Sequence, residues 1–393
     1  MKKGFTKNEV SRRRFIGTSA TAAAALTMFS GSKLVASGSP PVDVALAALG
    51  PKADDDIIEA AVWRAAFSVT DFSWLGKGET VIIKPASNSG NPYPAVTSPA
   101  GVRAMVKLLK KKGAGRVIMT EQSGIEHIRR NEKELKGSSR KLMENNNLDQ
   151  AARDAGAEVI YPEEGSYEDY FLERTGPGSH WKQGVRLPNV LKEADHIVLL
   201  PRVGSHVLAG ASLGFKAAVG WLRHDSRLEL HRDADTFFEK IAEIHSAPIF
   251  KKKLKLTLSV ANRVLATFGP DNGYVATPDP GLVIASTNLL AHDMAAMAWY
   301  LWTYENITPK TKKLIDPRRS STSRINKYVV RMGWGKEEAS KTADLAKFNL
   351  DRAATDPTIA YAAKLWGGLP QIKWTAEKTL KPELINEISA HLT

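Results

Sequence analysis

Apolar positions along the chain alternate between two rhythms. Ile57 to Val69 repeats at helical spacing, and Glu79-Thr-Val-Ile-Ile-Lys84 follows as a short β-branched run that ends in Lys84-Pro85. Ser98-Pro99 then supplies an N-cap and a first-turn proline for a helix to about Lys112, which Gly113 stops. Arg116 to Glu121 is the next strand. A strand–helix–strand unit of this kind predicts parallel pairing through a right-handed crossover. The alternation goes on with a helix over 138–155, strands over 158–161 and 195–200, and a helix over 233–246. Strands over 254–260 and 282–286 and a helix over 289–304 complete it. The predicted fold class is α/β: a mostly parallel, Rossmann-like sheet with helices on both faces. Beyond residue 305 the strand pattern stops, which predicts a helical C-terminal extension over 305–393. Residues 37–56, which open on Ser-Gly-Ser-Pro-Pro, read as a flexible linker ahead of an α/β domain over 57–304.

The first 36 residues follow a different pattern. Ser11-Arg12-Arg13-Arg14-Phe15-Ile16-Gly17 resembles the twin-arginine export motif, and an uncharged Ala/Thr/Ser/Gly-rich stretch runs from Phe15 to Ser32. That stretch is too weakly apolar for a membrane anchor. It reads as a twin-arginine signal peptide, with cleavage near Val35-Ala36-Ser37. The expectation is a periplasmic or otherwise exported protein whose first partner is the twin-arginine export machinery. That route carries folded proteins.

Composition then narrows the chemistry. The 393 residues contain no Cys, which excludes disulfides, thiolate zinc sites, Cys nucleophiles and any cysteine-ligated iron–sulfur cluster. The net charge of +13 includes +6 from residues 1–36, leaving +7, which gives no argument for a nucleic-acid partner. Lys251-Lys252-Lys253 and the window Lys310–Arg331 carry much of that remainder and offer peripheral contact with an anionic envelope surface.

In open parallel sheets ligands sit beyond the carboxyl ends of the strands. Polar residues just after each strand are therefore the first candidates: Lys84, Glu121 with Gln122, Arg202 through His206, Asn262, and Ser286 with Asn288. The stretch from Leu200 to His224 is rich in Gly and Ala around Lys216, and Arg223, Arg227 and Arg232 follow. Small residues let backbone N–H groups approach an anion. The stretch has neither G-x-G-x-x-G nor a P-loop.

Two alternatives stay open. Gly210-Ala211-Ser212-Leu213-Gly214 fits the G-x-S-x-G nucleophile elbow, with Asp279 and His292 following in triad order, although no strong strand directly precedes it. His206, His224, His231 and His245, with Asp225, Asp233 and Asp235 among them, offer imidazole and carboxylate ligands to an unidentified metal. The Met294, Met297, Trp299 and Trp302 pattern reads as core.

Three blocks of the sequence resemble the DUF362 family, α/β proteins of largely unassigned function. They are Val81-Ile-Ile-Lys84-Pro85 with Thr97-Ser98-Pro99; Ala194-Asp195 through Leu200-Pro201 to His206, Lys216 and His231; and Gly269-Pro270 with Leu282 to Asn288 and Asp293. Ala86, Ala217 and Ala261-Asn262 stand where the family often has Asn, Asn and Asp-Gly, and the ferredoxin-like cysteine motifs of many members are absent. The post-strand residues together suit a small anionic ligand or cofactor at the strand C-termini, and of the positions that match the family His206, Lys216, His231 and Asp293 are kept. Lys84, Lys216 and Asp293 are then ligand-binding residues, and His206 and His231 are candidate acid/base groups near neutral pH.

Overall fold

Eight strands form one sheet in the computed structural model, which describes residues 40–393 apart from 51, 234, 315 and 317–350. They are β1 (Val42–Leu49), β2 (Thr80–Pro85), β3 (Arg116–Thr120), β4 (Glu158–Ile160), β5 (His196–Leu200), β6 (Leu254–Ala261), β7 (Gly281–Ser286) and β8 (Ile372–Ala376). Their order is β8-β1-β7-β6-β5-β2-β3-β4. Only β7 runs against the others, antiparallel to both β1 and β6. The remaining pairs are parallel, so the fold is a mostly parallel α/β sheet.

Successive side chains of a strand face opposite sides of the sheet, and the two cores follow from that. Ile82 of β2 and Ile197 and Leu199 of β5 face one apolar cluster. Val81, Ile83, Val198 and Leu200 face the other. Helices α1 (Asp55–Phe67) and α2 (Pro99–Lys111) cover the second face. Asp54 and Ser98 cap them, accepting from the amides of Ile57 (2.9 Å) and Gly101 (3.2 Å). Each such cap contributes about 1 kcal/mol.

The first face carries three elements that matter below: α3 (Gly214–Ala217), α4 (His224–His231) and α5 (Leu289–Asn306). Helix α5 is apolar on nearly every side, which demands burial all round. It packs on β7, β1 and β6 and is covered by the helices Pro357–Leu365 and Pro382–Ser389. Met294, Met297, Trp299 and Trp302 are buried core side chains. No described helix is long and apolar enough to cross a membrane.

The structure departs from the sequence reading at both ends. Residues 37–56 are not a plain linker: Val42–Leu49 is a strand deep in the sheet, with Val44, Ala45, Leu46 and Ala47 buried. Neighbours on both faces remove the alternation that marks a half-exposed strand. The C-terminal extension likewise contains β8, which pairs in parallel with β1 from Val42↔Ile372 to Leu46↔Ala376. It is a half-exposed edge strand with little apolar signal. Within the domain, the helix over 138–155 is two, Ser139–Asn145 and Leu148–Asp154, separated at Asn147, which has φ of 64°. The helix over 233–246 shortens to Phe237–Ile244. The leader over 1–36 and most of the basic window Lys310–Arg331 lie outside the described residues.

Candidate functional site

From β2 the chain steps outward to β3 and β4, while β5 and β6 lie on the other side of β2. Crossovers leaving adjacent strands in opposite directions open a crevice at their carboxyl ends. A cleft of about 520 Å³ lies at this position. Ala86, Ser87 and Asn88 reach it from the end of β2, Glu121 and Gln122 from β3, and Arg202 from β5. Its far wall comes from the 206–220 segment, from Arg227 and His231 of α4, and from the loop 268–272.

Three cations line this cleft, and none forms an ion pair with any described residue. The Arg227 guanidinium is buried and donates only to backbone carbonyls, those of Leu222 (3.0 Å), Gln122 (2.6 Å), Ser123 and Gly220. Those dipoles satisfy its hydrogens but leave its charge unneutralised. Arg202, 2% exposed, spends Nη2 on the Ser205 carbonyl (3.1 Å), and its Nη1 has no acceptor. Lys216 is half-buried on α3, and its ammonium has no hydrogen-bond partner among the described residues. Burial, followed by repulsion from Arg227 and Arg202, lowers its ammonium to about 8. The carboxylates of Glu121, Glu126 and Asp271 line the same cleft, but among the described residues none pairs with these three cations, and buried charges left unpaired are costly to fold.

Both candidate histidines reach the cleft. Nδ1 of His206 accepts from the amides of Leu208 and Ala209, each at 3.2 Å, which puts the ring proton on Nε2. His231 has the opposite tautomer: Nδ1 donates to the Arg227 carbonyl at 2.8 Å. Burial, then the charge on Lys216, pushes His231 down to about 3, so its imidazole is neutral at physiological pH. In that tautomer Nε2 is the unprotonated ring nitrogen of His231.

Lys84 and Asp293 lie outside the cleft lining. Lys84 is fully buried beneath it, bonded to the Pro85 carbonyl (2.8 Å) and paired with Glu121, whose carboxylate does reach the cleft. Gly220 closes over that pair, and a Cβ there would stand 2.6 Å from the Lys84 ammonium. Asp293 on α5 accepts from the amides of Gly214 (2.9 Å) and Phe215 (2.7 Å) and from His292 Nδ1 (2.8 Å). It caps the start of α3. A strand-end lysine and a helix-start aspartate carry the same sequence signal whether they face a ligand or the backbone.

Of the other post-strand candidates, Asn262 accepts from the Tyr93 hydroxyl (2.9 Å) and Asn288 caps α5. Ser212 does line the cleft. However, His292 is turned to Ser259 (3.1 Å) and Asp293, and Asp279 is exposed, so these three residues form no relay. The four histidines form no ligand set among the described residues: His245 contacts the Phe215 carbonyl (3.1 Å), and His224 is outside the cleft lining. Sequence reasoning missed a different group. Glu126, His127 and Asp271 bring one ligand atom each within 4.8 Å of one another, and Glu126 and Asp271 line the cleft. Burial, then the Asp271 charge, raises the Glu126 carboxyl to about 7. The available signals were a Glu-His pair shortly after β3 and an Asp following Gly269-Pro270.

Fold and site together define an α/β protein with a charged cleft, three of whose cations are unpaired among the described residues, at the switch point of a mostly parallel sheet. The chain belongs to the DUF362 family: the family model, described as a domain of unknown function, matches residues 81–298, more than half of the chain. Among solved structures it is similar to the lactate racemase apoprotein of Thermoanaerobacterium thermosaccharolyticum, at 18% identity over 53% of this chain and 49% of that one, with a TM-score of 0.35. The chain thus spans about half the length of that relative. It is also similar to a Thermotoga maritima protein, at 12% identity over 86% and 91% of the two chains, with a TM-score of 0.40. No curated protein matches.

Proposed function

We propose that this protein is exported and binds a small organic or inorganic anion in the cleft at the carboxyl ends of β2, β3 and β5. The observation that carries this reading is the convergence of Arg202, Lys216 and Arg227 on one cleft without a carboxylate partner among the described residues. An anion offsets the cost of holding those charges together, and charge-assisted hydrogen bonds to it contribute about 1.5–3 kcal/mol each. Calorimetry of the purified chain against mono- and dicarboxylates and inorganic phosphate tests it. Saturable binding of at least one probe, lost in Lys216→Gln, is expected. Equal binding by wild type and Lys216→Gln, or none by wild type, defeats the reading.

A proton-transfer reaction on the bound anion is the second reading, and the fixed tautomer of His206 favours it. Two backbone amides hold Nδ1 as acceptor, so the ring carries its proton on Nε2, and His206 lines the cleft. On this reading His206→Ala keeps binding and loses turnover. The export half rests on Arg12-Arg13-Arg14 and the weakly apolar run after them. Replacing the three arginines by lysine leaves an exported reporter fusion in the cytoplasm if it is right.

A further inference from the structure

The geometry points to a divalent-cation site made by Glu126, His127 and Asp271 at the edge of the cleft, with the bound anion completing its coordination. This rests on the anion reading above. Nε2 of His127 is 4.0 Å from Glu126 Oε1 and 3.9 Å from Asp271 Oδ2. Ligands about 2.1 Å from a tetrahedral metal are separated by about 3.4 Å, so small side-chain rotations close the set. Three protein donors are the number found in sites that keep a position open for a further ligand.

Two further observations point to a ligand at this spot. Oδ1 of Asp271 is sealed from solvent yet accepts no hydrogen bond. Arg202, 2% exposed on the same cleft, has an Nη1 that donates to nothing. A cation alone satisfies Asp271 but repels Arg202, and an anion alone does the reverse. A cation with an anion bridging it to Arg202 and Lys216 satisfies both. Two carboxylates and one imidazole, with no thiolate anywhere in the chain, suit Mn²⁺ or Zn²⁺. The two ligands are therefore coupled, each raising the affinity of the other by the same factor.

The test uses the full chain, stripped with chelator and titrated with Mn²⁺ or Zn²⁺ alone, followed by elemental analysis after dialysis. One equivalent of metal is expected for wild type. At least a tenfold weaker affinity is expected for Asp271→Asn and for His127→Gln, with circular dichroism and thermal midpoint retained. If Asp271→Asn fails to fold, His127→Gln on the half-exposed imidazole still decides the matter. Lys216→Gln is expected to keep the metal while losing the anion. With metal present, the anion that binds tightest to the stripped protein is expected to gain at least tenfold in affinity. No stoichiometric metal, or metal retained equally by both ligand variants, overturns the inference. Anion binding to stripped protein that persists in that event leaves the anion reading standing. Loss of anion binding alone removes that reading and, with it, the coupling.

Discussion

Asp293 positions Lys216 without touching the cleft. Its two carboxylate oxygens take the backbone amides of Gly214 and Phe215, the residues just before the lysine, and so fix the turn from which Lys216 projects. Gly214 is required at that turn, because a Cβ there would stand 2.6 Å from the Asp293 carboxylate.

Asp293→Ala leaves two buried amides without acceptors, each costing about 1–3 kcal/mol. Chemical denaturation should show that loss, and Asp293→Asn, which keeps one acceptor oxygen, should recover about half of it. Anion affinity measured by calorimetry should fall in the same order, Ala below Asn below wild type. A ligand-contact role for Asp293 would instead abolish binding in both variants.

Anion affinity should fall as pH rises through 8. Lys216 lies among Arg202, Arg227 and Glu126, and burial with the two guanidinium charges brings its ammonium to about 8. A lysine depressed in this way carries its charge below that value and loses it above. For a carboxylate probe, whose own charge is constant there, affinity should decline gently through pH 7 as Glu126 ionises beside it. It should then drop by up to tenfold per pH unit above 8. Lys216→Arg should remove the drop above pH 8 and leave only the shallow decline near 7.

Gly220 should tolerate no side chain. A methyl group at this position meets both members of the buried Lys84–Glu121 pair. Gly220→Ala should destabilise by about 1–3 kcal/mol, the usual cost of overpacking. Thermal denaturation checks it, and an unchanged midpoint would mean that the pair moves aside freely.

Removing residues 368–393 should destabilise the whole domain. That truncation deletes β8 and with it the parallel pairing to β1, together with Glu377, whose carboxylate accepts from the Ala48 amide at 3.0 Å. A lower thermal midpoint and concentration-dependent aggregation are expected. An independent C-terminal appendage would leave the midpoint unchanged.

The strand–helix rhythm from residue 57 to 304 was legible because its strands are short β-branched runs bounded by Gly and Pro. The place of the cleft was legible too, since the ends of β3 and β5 supply Glu121, Gln122 and Arg202. Contacts made across the fold were not. The sequence showed Lys84 after a strand, but not that Glu121 would take it below the cleft floor. His127 and Asp271 are 144 positions apart, and only the loop before Asp271 brings them together. Strands β1 and β8 were missed for opposite reasons: one is too uniformly apolar to alternate, and the other too exposed to look apolar.

The pairing of β1 with β8 also sets an order of events during synthesis. Residues 42–49 emerge from the ribosome early, but one of their two neighbours ends at residue 376. Until then β1 presents a bare row of backbone donors and acceptors on an apolar strand, a template for sticking to other chains. A chain cut short of that point is left with an open seam, so the last strand seals an edge that the first one opens.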